Sequence, residues 1–137
     1  MNHWIIAPVL IPALAGMLLL LEVRERHRLR RITGLLSCAA MLATAIFLGD
    51  QAWGGEITVY ALGNWQAPFG IVLVLDKLSA LMLVLTAVLA FPALLYACCG
   101  DDRRGANFHA LFQFQLMGVN GAFLTGDLFN LFMFFEV

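Results

Sequence analysis

Hydrophobic positions in this chain come in long blocks, and short polar stretches separate them. The blocks cover residues 4–21, 32–48, 71–97 and 108–124, and a fifth starts at 127 and is still running at 137. A helix rises about 1.5 Å per residue, so about 20 apolar residues cross about 30 Å of hydrocarbon. The first four blocks meet or approach that length. The fifth has about half of it. The pattern predicts an all-α membrane protein of one domain, 1–137, with four transmembrane helices plus the first half of a fifth. Pro8, Pro12 and Pro92 fall inside blocks. They are tolerated there if neighbouring helices satisfy the carbonyls they free. Between the second and third blocks, Ile57, Thr58, Val59 and Tyr60 alternate apolar with polar, and Gly63 and Asn64 follow. That stretch predicts a strand of a short hairpin.

Charge placement orients the blocks. Seven of the eight basic residues, Arg24, Arg26, Arg28, Arg30, Arg31, Arg103 and Arg104, follow the first or third block. Two crossings separate those loops, so both lie on one side. The segment from Asp50 to Gly70 has no Lys or Arg. The positive-inside rule puts the basic loops in the cytoplasm and the N-terminus and hairpin outside, and the expected location is a bacterial inner membrane. Trp4, Trp53 and Trp65 then form an aromatic belt at the outer interface. Lys77 is the exception, and with Asp76 it is read as an interfacial anchor. No basic residue precedes the first block, which argues for a retained helix rather than a cleaved signal. The fifth block stops short of a full crossing, so the chain is expected to be a fragment of a longer subunit.

Composition agrees. The chain is 62% hydrophobic and 12% charged, against about 45–50% and about 25% in soluble domains. The net charge of −1 gives no field that would draw nucleic acid. Cys38, Cys98 and Cys99 show no CxxC spacing and no His/Cys cluster, so they are read as inert thiols with no metal site. No phosphate-binding, dinucleotide, zinc-hydrolase or nucleophile-elbow motif is present. No cofactor and no catalytic residue is therefore expected. Asp101 and Asp102 are read as offsetting Arg103 and Arg104.

The candidate chemistry is one acid and a polar stripe. Asp127 is a natural N-cap for the fifth helix. Glu136 stands nine residues on, about 13–14 Å deep and near mid-membrane. Ionisable residues at that depth are rare and commonly mark proton relays, the alternative being a hydrogen bond that ties the acid to a neighbouring helix. His109, Gln113 and Asn120 share one face of the fourth helix. They serve either a polar pathway or hydrogen bonds between helices. Gly118, Gly121 and Ala122 offer a small surface for close helix contact.

The stretch Gly118 to Glu136 (GVNGAFLTGDLFNLFMFFE) resembles the antiporter-like membrane subunits. That superfamily includes Mrp-type Na+/H+ antiporter subunits and the proton-pumping subunits of respiratory complex I. Ala67 to Met82 (APFGIVLVLDKLSALM) and Phe108 to Gly118 (FHALFQFQLMG) are similar to the D subunit of the Mrp-type antiporters. The resemblance implies that Glu136 is a proton-translocation residue whose lysine partners lie on later helices. It implies a hetero-oligomeric complex with other Mrp antiporter subunits, exchanging monovalent cations for protons. Two alternatives stand beside it: a proton-pumping membrane subunit of complex I or a membrane-bound hydrogenase, and a truncated, non-transporting assembly module.

Overall fold

The structure, a computed structural model, describes residues 3–22, 26–55, 57–64, 70–103, 105 and 107–136. Trp65 of the expected belt, Arg24, Arg104 and positions 67–69 of the segment similar to the Mrp-type D subunits lie outside the described residues.

A 3-10 turn, His3–Ile6, leads into helix α1, Ala7–Leu21. Pro8 sits in the first turn of α1, where a missing N–H costs nothing. Helix α2 spans His27–Trp53, well beyond the expected 32–48. The apolar block fixed only the part that lipid would require, whereas arginine is a good helix former and carries the helix outward at its start. At about 1.5 Å per residue, the 27 residues of α2 extend about 40 Å. The helix stops at Gly54 and Gly55, the latter at φ +94°, a left-handed conformation that favours glycine.

Strand β1, Thr58–Ala61, pairs antiparallel with β2, Val72–Leu75, with Thr58 opposite Leu75 and Tyr60 opposite Leu73. The partner strand lies where sequence reading placed the start of the third helix. A continuous apolar run such as Val72-Leu73-Val74-Leu75 has no period that separates strand from helix. Leu73 and Leu75 turn into the core, and Asp76 ends the strand in an extended conformation. Helix α3 therefore begins at Lys77 and runs to Ala97. The Asp76 carboxylate accepts from the Ser79 N–H at 2.6 Å, capping α3. That bond holds the Asp76 pKa below its ordinary value. Lys77 is exposed.

A 3-10 turn, Asp101–Arg103, precedes helix α4, Phe108–Leu124, which has the bounds of the fourth block. Helix α5 spans Leu128–Phe135 and ends at Glu136. Helix α1 packs mainly on α4, and α2 on α3, with α1 also against α2 and α5 resting on α4. The hairpin docks on the α4–α5 joint, where the Gly126 N–H donates to the Val72 carbonyl at 2.8 Å. A Cβ at Gly126 would come within 2.6 Å of Val74 Cγ2, so this close approach requires glycine. The core runs through Cys38, Met41, Ala45, Leu48, Leu83, Ala87 and Leu94 between α2 and α3. Three helical segments, His3–Leu21, His27–Trp53 and Lys77–Ala97, are long and apolar enough to cross a membrane.

Candidate functional site

Two polar groupings occupy the bundle, at different heights along α4. The first lies at the arginine-rich end. Arg31, near the start of α2, makes a forked contact with Asp102: Nε to Oδ2 at 2.6 Å and a terminal nitrogen to Oδ1 at 2.8 Å. The Asp102 residue is only 4% exposed. Its other neighbour is His109 of α4, whose Nε2 lies 3.2 Å from Oδ2. The Arg31 hydrogen bonds, helped by His109 and opposed by burial, hold the Asp102 carboxyl down at about 2. An ionised carboxylate only accepts, so His109 donates from Nε2 and its tautomer is fixed. The expected offset of Asp102 by Arg103 and Arg104 is therefore corrected: its cation is Arg31, 71 positions away. Forked arginine geometry selects a carboxylate that can meet both nitrogens, and the fold brings only this one there among the described residues. At the same end Arg30 donates to the Leu19 carbonyl at 3.2 Å, satisfying one of the last carbonyls of α1.

The second grouping is the rest of the stripe. Gln113 is fully buried, accepting from Ser37 Oγ at 2.9 Å and donating to the Gly34 carbonyl at 3.2 Å. It ties α4 to α2. Asn120, also fully buried, donates from Nδ2 to the Pro8 carbonyl at 2.9 Å. Within α1 that carbonyl would have received the N–H of residue 12, which is proline and has none. Asn120 thus supplies the hydrogen bond that Pro12 removes. His109, Gln113 and Asn120 stay on one buried face: His109 bonds the turn at Asp102, Gln113 bonds α2, and Asn120 bonds α1 at Pro8 and α2 at the Met41 sulfur.

The acid and its helix stand apart in kind. Asp127 stands at the N-cap of α5, where Oδ1 accepts from the Phe129 N–H at 3.2 Å and Oδ2 from Asn130 Nδ2 at 3.3 Å. Helix α5 presents Asn130 and Phe134 to α4, and Phe134 lies so close to Gly121 that a Cβ there would overlap its ring. Phe129, Phe132, Met133 and Phe135 are exposed. Glu136 is exposed as well, with its backbone N–H donating to the Met133 carbonyl at 3.2 Å. The structure does not bring Glu136 into the His109–Gln113–Asn120 stripe. Sequence reading missed Asp102, whose one visible signal was an acid seven residues before a histidine at a helix start.

These features define a helical, membrane-type bundle with an arginine-rich end, a small hairpin at the other, and polar side chains that tie its helices together. Its particular kinship comes from comparison with known proteins. No family model matches the chain. Over all of its length the chain is 44% identical to the D subunit of the Na(+)/H(+) antiporter of Alkalihalophilus pseudofirmus, covering 28% of that protein. It is 48% identical to the D subunit of the probable K(+)/H(+) antiporter of Rhizobium meliloti, again over the whole chain and 26% of the relative. Its fold matches a chain in the structure of the Mrp complex from Dietzia sp. DQ12-45-1b with a TM-score of 0.86 and 32% identity, over 99% of this chain and 26% of that one. The resemblance to the D subunits of Mrp-type antiporters thus holds across the whole chain, and the chain spans about a quarter of the length of these relatives. At 36% identity it is also similar to the N subunit of the NADH-quinone oxidoreductase of Desulforudis audaxviator, over 98% of the chain and 28% of that protein.

Proposed function

We propose that this chain is part of the D subunit of a multisubunit monovalent cation/proton antiporter, with Glu136 in the proton pathway. The observation that supports it most is the whole-chain identity of 44–48% to two antiporter D subunits. In this reading the protein lies in a bacterial inner membrane among other Mrp-type subunits. Helices α1 to α4 cross the membrane and α5 begins a fifth crossing. The N-terminus and hairpin face outward, and the arginine-rich end faces the cytoplasm, following the positive-inside rule. Trp4 and Trp53, both exposed, belong to the outer belt. The 17 residues of α4 extend about 26 Å, and its long seam with α1 suits a neighbouring crossing.

Glu136 is assigned the proton role because it is an acid at the end of an apolar, aromatic helix, in the stretch from Gly118 that resembles the antiporter-like subunits. Its partner would be a cation on another segment or on a neighbouring protein of the complex. His109, Gln113 and Asn120 act as helix contacts, since each already holds a hydrogen-bond partner inside the chain. The chain is a transporter component, and its work is proton and cation movement driven by ion gradients.

Similarity to a membrane component of an NADH-quinone oxidoreductase favours a second reading, a membrane subunit of a redox-driven pump. The two readings separate in proteoliposomes holding the complex purified from native membranes. Under the antiport reading, an imposed Na+ or K+ gradient moves protons with no electron donor present. Proton movement that occurs only during electron transfer to quinone would overturn it in favour of the second.

A further inference from the structure

The arginine-rich end holds more than an ion pair. Cys98 lies one residue past the end of α3, Asp102 in the 3-10 turn, and His109 at the second position of α4. One ligand atom from each, the Cys98 thiol sulfur, an Asp102 carboxylate oxygen and a His109 ring nitrogen, lies within 4.8 Å of the other two. We propose that Cys98, Asp102 and His109 form a binding site for a borderline-soft divalent transition-metal ion, Zn2+ in the first instance.

The donor set is chemically specific. Sulfur, imidazole nitrogen and carboxylate oxygen together are ligands that Zn2+ takes at about 2.3, 2.0–2.1 and 2.0–2.2 Å. Hard cations such as Ca2+ and Mg2+ prefer all-oxygen cages. At those bond lengths tetrahedral ligand atoms stand about 3.3–3.6 Å apart. The 3.2 Å pair His109 Nε2 and Asp102 Oδ2 is already at that spacing. The longest separation closes by about 1 Å, which a rotation of the partly buried Cys98 side chain would supply. Asp102 and His109 are 4% and 5% exposed, so two of the three ligands are held in place before an ion arrives.

Proton and charge accounting are consistent. A carboxylate has about four lone-pair positions. Arg31 uses two and the His109 N–H a third. An arriving ion takes the place of that shared proton between Nε2 and Oδ2. The proton passes to the other ring nitrogen, Nδ1, which is buried and has no hydrogen-bond partner among the described residues, a desolvation cost that the new metal–ligand bonds have to exceed. The Cys98 thiol releases its own proton to solvent on binding. Thiolate, carboxylate and guanidinium sum to one negative charge, which a dication outweighs by one. Three protein ligands leave a fourth position for water, the arrangement of an exchangeable rather than a closed structural site. Arg31 acts as the group that orients Asp102 from behind. Cysteine spacing alone gives no sign of the site, because its ligands come from a helix end, a turn and a helix start.

The test is Co2+ and Zn2+ titration of the full chain purified in detergent. The expected result is a one-to-one thiolate-to-cobalt charge-transfer band that Zn2+ abolishes. The band is retained in Cys38→Ser and Cys99→Ser and lost in Cys98→Ser, with Zn2+ affinity falling about tenfold or more. X-ray absorption on the Zn2+-loaded wild-type chain checks the ligand set without any variant. One sulfur at about 2.3 Å with nitrogen and oxygen completing the shell is expected. No cobalt band, a band that follows Cys99, or a shell without sulfur would overturn the site.

Discussion

The arginine-rich end and helix α5 treat their charged residues in opposite ways. At the arginine-rich end the chain closes on itself: Arg31 and His109 both bond Asp102, and Arg30 reaches back to α1. On α5 the apolar side chains turn outward and Glu136 ends the helix exposed. A charge removed from water needs partners, or it costs several kcal/mol. The first region provides those partners from within. In the second, no side-chain partner meets Glu136 among the described residues. Asp102 is therefore held by partners from within the chain, whereas the proposed proton role of Glu136 needs a partner that the described residues do not supply.

Breaking the closed end should give the largest stability effect. Asp102→Asn leaves Arg31 without its anion and leaves one acceptor oxygen where Arg31 and His109 now share two. Removing one partner of a buried pair costs about 3–5 kcal/mol. The Arg31 side chain keeps 26% exposure, which puts the expected loss near about 3 kcal/mol, read by thermal unfolding in detergent. Acid should act on the same bond. The folded Asp102 carboxyl titrates at about 2 against an ordinary 3.8. Its contribution is therefore present above about pH 4 and lost as pH falls from about 4 to about 2. Asp102→Asn should flatten that acid limb.

A smaller effect sharpens the assignment of the stripe. Asn120→Ala leaves the Pro8 carbonyl without its donor, at a cost of about 1–3 kcal/mol. In a Pro12→Ala background residue 12 regains an N–H, which can close the ordinary i−4 bond. Asn120→Ala should then cost markedly less, with a coupling of about 1 kcal/mol in a double-mutant cycle. Additive costs would mean that Asn120 does not compensate the proline. Smallest among these is Asp76→Ala, which removes the cap of α3 and should lower stability by about 1 kcal/mol.

How far the sequence led depended on how local each cause was. The blocks at 4–21 and 108–124 mark helices because continuous apolar runs of that length have few other solutions. The capping chemistry of Asp127 could be read because it acts two and three residues away. The start of α2 was hidden because arginine propagates a helix as readily as leucine. Strand β2 was hidden because Val72 to Leu75 continues an apolar run without a break. The Asp102 partnership could not be read at all, since Arg31 comes from another helix and no local pattern links them. His109, Gln113 and Asn120 were recognised as one face, but the elements they bond depend on tertiary packing. Glu136 was conspicuous as an acid at the end of an aromatic, apolar run.

The most direct test of the proposed role is Na+- or K+-driven collapse of a pH gradient in inverted vesicles, with Glu136→Gln placed in the intact protein and assembly measured alongside. Gln keeps the size and hydrogen-bonding atoms of the side chain and removes only its ionisable proton, so assembly should be preserved. The account predicts wild-type levels of assembled complex and no cation-driven proton exchange. Exchange at the wild-type rate per assembled complex would contradict it.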